Sequence, residues 1–285
     1  MHIGIGLPNN VVGASGPLMV EWARRAEQRG FESVTTIDRL IYPSIDSVIA
    51  LALATGATTN LGLVTNILLA PLYPPTILAK QLGSLALAAG DRLAIGIAVG
   101  SREDDYVAAG VDFEKRGRLL DQEVTTMREA WSGKAVVSDS SIVPQPVDIP
   151  LLFGGRGTAT LRRATTVGDG WVAGALRDYQ GQAQFLDRVR RGWREAGRAG
   201  EPTNHASVNF AIGGADVADA GRGHLAHYYG FKPDYAKLNV DDIITTPQDA
   251  SDTVRAYADL GFDRVLFHPA VASLEQVDRL ADAVL

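Results

Sequence analysis

At 285 residues, with 46% hydrophobic and 21% charged side chains, the chain is long enough for a large α/β domain and too apolar for disorder. A net charge of −6 with no basic run excludes nucleic-acid binding, which needs a positive stripe against phosphates. The lack of cysteine excludes disulfides and thiolate metal sites; with no apolar run readable as a membrane span and no signal-like start at Met1-His2-Ile3-Gly4, a cytoplasmic protein without membrane contact is expected.

Strand-like and helix-like segments alternate along the chain. The pattern predicts a strand over 3–7, a helix over 18–28 stopped by Gly30, a strand over 33–37 and a helix over 46–56. A strand over 61–67 precedes a helix over 76–89, and a strand over 93–99 precedes a helix over 116–131. The apolar run Leu151-Leu152-Phe153 reads as a buried fifth strand, followed by a glycine-rich turn and a helix ending near Val167. A sixth strand over 170–173 and a helix over 179–196 follow, then a seventh strand over 206–212 with helical pieces across 216–229 and 247–260. An eighth strand over 264–267 and a helix over 274–284 complete the series. Eight alternations predict an α/β fold, a (β/α)8 TIM barrel filling residues 1–285 as one domain, with a doubly wound sheet as the other arrangement.

The turn Gly154-Gly155-Arg156-Gly157-Thr158 is the most telling local feature. Glycines between a strand and a helix let backbone approach an anion, and the helix start offers unpaired N–H groups with a positive dipole end. Arg156 adds a guanidinium. The segment reads as a phosphate cradle; a tight turn whose glycines serve geometry alone is the alternative.

A barrel places ligands at the carboxyl ends of its strands. That selects Asn9, Asn10, Asp38, Arg39, Thr65, Asn66, Gly100 to Glu103, Gly154 to Thr158, Trp171, Asn209 and His268. Phe153 and Trp171 read more simply as core. All five lysines fall on predicted helices or loops, which excludes a Schiff-base aldolase. His224 and His227 stand at i, i+3 without a third ligand, so they read as a surface helix rather than a metal site.

Read in order, these motifs resemble the bacterial luciferase-like superfamily of flavin- and deazaflavin-dependent oxidoreductases, most closely its F420-dependent branch. The resemblance rests on five units covering nearly the whole chain: Gly30-Phe31-Glu32-Ser33-Val34 leading to Asp38; Leu61-Gly62 with Thr65-Asn66, Pro74-Pro75 and Leu78-Ala79-Lys80-Gln81; Asp91-Arg92-Leu93 with Gly96, Gly100, Arg102-Glu103 and Tyr106; the segment from Gly110 to Arg118; and Gly154-Gly155 with Leu161-Arg162-Arg163-Ala164 and Asp169-Gly170-Trp171.

The resemblance implies a tricyclic cofactor in the barrel mouth, coenzyme F420 or alternatively FMN, with its phosphate tail on Gly154, Gly155, Arg156, Gly157 and Thr158. It implies a non-proline cis peptide under the ring, matching the Thr65–Asn66 bond here. Gly100 and Ser101 join Asp38, Thr65 and Asn66 as cofactor contacts, and Asp38, Arg39 and Asn66 are the candidate catalytic residues. Two positions depart from the family pattern. Arg39 stands where many relatives carry histidine, and an arginine stays charged and can only donate or pair. Ser101 stands where relatives carry glutamate or tryptophan. Glu103 is a second carboxylate nearby, or simply the dipole-favoured start of a helix.

Three functions follow from the resemblance: hydride transfer between F420 and a small organic substrate, an FMN-dependent monooxygenase served by a cofactor-reducing partner enzyme, or a flavin-binding barrel without chemistry. It also implies a homodimer through barrel helices, with 49–55 and 78–89 as faces; those faces can instead pack on the barrel. Residues 132–150 and 213–246 are loop-rich and lie where lids form.

Overall fold

The computed structural model describes residues 1–135 and 139–285, so part of the expected lid segment 132–150 lies outside the described residues. Eight strands form a closed barrel in chain order: β1 (His2–Gly6), β2 (Ser33–Thr36), β3 (Gly62–Leu68), β4 (Leu93–Ile97), β5 (Leu151–Gly154), β6 (Gly170–Val172), β7 (Thr203–Phe210) and β8 (Arg264–Pro269). Every neighbouring pair is parallel, and β1 closes on β8 with Ile3 opposite Val265 and Ile5 opposite Phe267. That pairing makes the expected TIM barrel and excludes the doubly wound sheet, whose edges stay open.

Around the barrel lie α1 (Gly16–Gln28), α2 (Ser47–Ala57), α3 (Pro75–Ala89), α4 (Glu103–Ala109), α5 (Arg116–Trp131) and α6 (Thr158–Thr166). The second half adds α7 (Tyr179–Glu195), α8 (Ala215–Tyr228), α9 (Pro233–Asp241), α10 (Pro247–Leu260) and α11 (Glu275–Val284). Their local causes are ordinary. Ser15 caps α1 by accepting from the Leu18 N–H, and Met19, Trp22, Ala23 and Ala26 recur on its buried face. Thr246 caps α10, and Gly261 ends it at φ +80°, a conformation that disfavours a side chain. Among the described residues, no helix is long and apolar enough to cross a membrane.

Two elements differ from the sequence pattern. β7 begins at Thr203 rather than 206, because the polar Thr203, Asn204 and His205 pair with Gly170, Trp171 and Val172. α9 occupies part of 213–246, where loop was expected. Its start signals, Pro233 and Asp234 in the first turn, are present, but only Ala236 and Asn239 are buried, so it shows no apolar period.

Two core features reach the site. Trp171 is fully buried against Phe185 and Phe262, and its Nε1 donates to the Gly155 carbonyl at 2.7 Å. The residue that fills the core thus also fixes the turn after β5. The second feature is a bulge in β3: Thr65 pairs with Ile95 but Leu68 pairs with Ile97, leaving one extra residue on β3. The cis peptide bond lies inside this bulge at Asn66–Ile67, one residue beyond the expected Thr65–Asn66. Thr65 still holds its ladder position, with its hydroxyl donating to the Gly96 carbonyl at 2.8 Å, so the irregular backbone begins only after it.

Candidate active site

The carboxyl ends of the strands surround a cavity of about 230 Å³. The β3 bulge supplies Asn66 and Ile67, and the end of β2 supplies Asp38 and Arg39. Ser101, Arg102 and Asp105 come from the start of α4, and Gly154 and Gly155 from the end of β5. Tyr228, Tyr229, Phe231 and Tyr235 reach in from α8, α9 and the link between them.

Asn66 lies at the centre of a buried polar group. Its Nδ2 donates to the Ser207 hydroxyl and to His268 Nε2, both at 2.8 Å. Burial pushes the His268 imidazole down to about 4, so at neutral pH it is uncharged and its Nε2 accepts. With both amide hydrogens committed, Oδ1 is the atom Asn66 has left for a ligand.

Asp38 is held differently. Its carboxylate accepts from the Leu69 N–H at 2.9 Å and from the Tyr73 hydroxyl at 3.1 Å, tying the end of β2 to the chain just after the bulge. Burial pushes this carboxyl up to about 6, outweighing those hydrogen bonds, which pull it down. Arg39 is also buried. Its Nη1 donates to the Tyr228 carbonyl at 2.8 Å, and its guanidinium lies 4.8 Å from the Tyr228 ring and 4.7 Å from that of Phe231. Asp105 Oδ2 stands 3.7 Å from Nε, while Oδ1 accepts from the Ile41 N–H at 2.7 Å.

The glycine turn divides in two. Gly154 and Gly155 line the cavity and serve geometry: a Cβ on Gly154 would lie 2.1 Å from Ile67 Cδ1, and Gly155 has φ +108°. Gly157 is the N-cap of α6, where no side chain caps the helix and no acidic residue occupies the first turn. A Cβ there would meet nothing within 4 Å. The exposed N–H groups from Gly157 onward therefore form an open, positive helix end. Arg156 stands beside it, paired with Asp178.

Of the residues singled out from sequence, the cavity gathers Asp38, Arg39, Asn66, Ser101, Arg102, Gly154, Gly155 and His268. Thr65 is turned toward Gly96, and Gly100 packs at φ +68° against Leu69; neither lines the cavity. Arg156, Gly157 and Thr158 lie on the exposed rim. Glu103 is in the first turn of α4 and exposed, as its helix-start reading has it. Asn9 clamps the Ile37 and Ile45 carbonyls, and Asn209 donates to Asn239. His227 is exposed, with Nδ1 3.1 Å from the Tyr42 hydroxyl, and His224 meets Asn10. Among the described residues, no group of three or more His, Asp or Glu is placed to hold a metal. Sequence reasoning missed Asp105, Ser207 and the four aromatics; the run Tyr228-Tyr229-Gly230-Phe231 was the available signal for three of these aromatics.

Residues 1–259 match the family model described as luciferase-like monooxygenase. The chain belongs to that family. Its relatives include the F420-dependent glucose-6-phosphate dehydrogenase of Kribbella flavida, 27% identical over 64% of this chain and 61% of the relative. The F420-dependent hydroxymycolic acid dehydrogenase of Mycobacterium tuberculosis is 28% identical over 71% of this chain and 61% of its own length. Among solved structures, the monooxygenase RslO1 from Streptomyces bottropensis superposes with a TM-score of 0.82 at 19% identity, covering 99% of this chain and 97% of that one, and so shares the fold. Family membership makes the protein an enzyme, an oxidoreductase of the luciferase-like type.

Proposed function

We propose that the protein binds coenzyme F420 in the barrel mouth and transfers a hydride between it and a small organic substrate. The observation that carries this reading is that two relatives with unlike substrates share F420 by name, while this chain keeps a cavity joined to an uncapped helix end. The space before Gly157 is open, and the N–H groups there are the donors a phosphodiester tail requires. Gly157, Thr158 and Arg156 would hold that tail, and Asn66 Oδ1 would meet the polar edge of the ring system.

The bound deazaflavin would supply a carbon centre that gives or takes a hydride. The protein's own part is positioning and exclusion of water. Asp38 keeps the chain beyond the bulge in place through Leu69 and Tyr73. With its carboxyl near 6, it is also the cavity acid best placed to exchange a proton close to neutral pH. Arg39 stays charged and takes no proton role; it is suited to orienting a substrate.

Side-by-side fluorescence titrations with F420 and FMN test the reading. Tighter F420 binding is expected, whereas tighter FMN binding would transfer the assignment to an FMN-dependent monooxygenase.

A further inference from the structure

We infer that the substrate of this cavity carries a carboxylate, gripped by the side-on edge of Arg39. The inference rests on the F420 reading only in calling the ligand a substrate. Arg39 has five N–H donors, and the structure engages it at Nη1 alone. Nε and Nη2, the two nitrogens of the side-on edge, are buried and have no hydrogen-bond partner among the described residues. They belong to a residue that lines the cavity and is only 8% exposed.

The edge is held in place. Tyr42, Tyr228 and Phe231 surround the guanidinium at 5.5, 4.8 and 4.7 Å, and Nη1 is tied to the Tyr228 backbone. A planar fork with two parallel donors matches the two oxygens of a carboxylate, whereas a neutral carbonyl offers one. Phe231 also carries the Arg102 guanidinium at 5.2 Å, a cation already paired with Asp104. The rest of the wall is mixed, with the apolar Ile37, Leu69 and Val172 beside the polar Asp38, Asn66 and His268. The matching ligand is a small carboxylic acid with an apolar body.

Asp105 is the group that occupies this edge incompletely. Its Oδ2 lies 3.7 Å from Nε, an ion pair too long for a hydrogen bond, and is itself unpartnered. A substrate carboxylate can therefore bring the two hydrogen bonds that Asp105 does not make. Burial raises the Asp105 carboxyl above its ordinary range.

Calorimetry with trans-cinnamate and cinnamamide, which share one apolar body and differ in charge, tests the proposal. The unsubstituted protein should bind the acid about tenfold or more tighter than the amide. Arg39→Gln should remove that preference, and Asp105→Asn should enlarge it severalfold by withdrawing the competing carboxylate. A merely structural Arg39–Asp105 pair would give no enlargement. Equal binding of acid and amide overturns the inference, as does a preference that survives Arg39→Gln or shrinks in Asp105→Asn. If Arg39→Gln fails to fold, the other two measurements still decide. F420 titration of the unsubstituted protein keeps the readings apart. Binding of F420 without acid preference overturns this inference alone, and acid preference without F420 binding overturns only the assigned cofactor.

Discussion

Asn66 and His268 are joined at the barrel mouth by a 2.8 Å hydrogen bond in which the amide donates to the imidazole Nε2. The bond requires an uncharged imidazole, and burial provides one by pushing His268 down to about 4. The unfolded chain takes up this proton near pH 6.5 and the folded chain only near 4, so the histidine erodes stability as pH falls through that window. His268→Gln should therefore be less stable than the parent by about 1–2 kcal/mol at pH 7.5, with the deficit shrinking toward pH 4.5. Urea titrations at the two pH values measure this. A constant deficit would mean the folded imidazole charges normally.

Gly154 faces the side chain of Ile67, and this contact explains the glycine without reference to a ligand. Gly154→Ala should overpack the bulge and cost about 2 kcal/mol. Ile67→Val removes Cδ1, the atom that a Cβ at 154 would strike at 2.1 Å. The double variant should recover most of the loss in thermal denaturation; simple additivity would place the conflict elsewhere.

At Gly157, stability and binding should move in opposite directions. Aspartate is at least as good an N-cap as glycine, and the backbone there, at φ −81° and ψ 165°, suits it. Gly157→Asp is expected to leave the melting temperature unchanged or raised. The same carboxylate would face an arriving phosphate and weaken F420 binding by about tenfold or more. Gly157→Ala, without the charge, should bind F420 nearly as the parent does. Equal binding by the aspartate variant would remove the helix end from the site.

Glu123 on α5 is buried, one of its oxygens has no partner among the described residues, and burial pushes its carboxyl up to about 8. Between pH 4.5 and 8 the folded state keeps a proton that the unfolded state has released. Stability contributed by this group therefore falls as pH rises through that range. Glu123→Gln should match the parent near pH 5 and exceed it by about 1–3 kcal/mol at pH 8.5. A variant weaker than the parent at both values would show that the carboxylate is satisfied.

The barrel was legible because its signals are periodic and local. Arg116–Trp131 carries a full helical pattern, and Gly30 marks the end of α1 that the structure keeps. β7 was displaced because Thr203 to His205 are polar residues at the amino end of a barrel strand, held by pairing with β6 and not by an apolar alternation. In the site, Asp38 and Arg39 could be found because they follow the end of β2, and Asn66 because it lies near the carboxyl end of β3. Asp105 and Ser207 could not, since neither lies in a recognisable motif and both matter through what they face across the cavity. The cis peptide was anticipated but placed one bond too early, because residue type alone does not tell which of Thr65 and Asn66 remains in the ladder.

If the proposed cofactor's phosphate reaches the rim, the Arg156–Asp178 pair bears on how long it stays. A phosphate reaching Arg156 does not meet a bare cation; it must compete with a carboxylate already there. When the phosphate departs, the same carboxylate recaptures the guanidinium, so release leaves no stranded charge behind. Such an exchange lowers the barrier to leaving as well as the gain on arriving. For the proposed cofactor, it would suit a coenzyme that visits and leaves more than one kept for the lifetime of the enzyme.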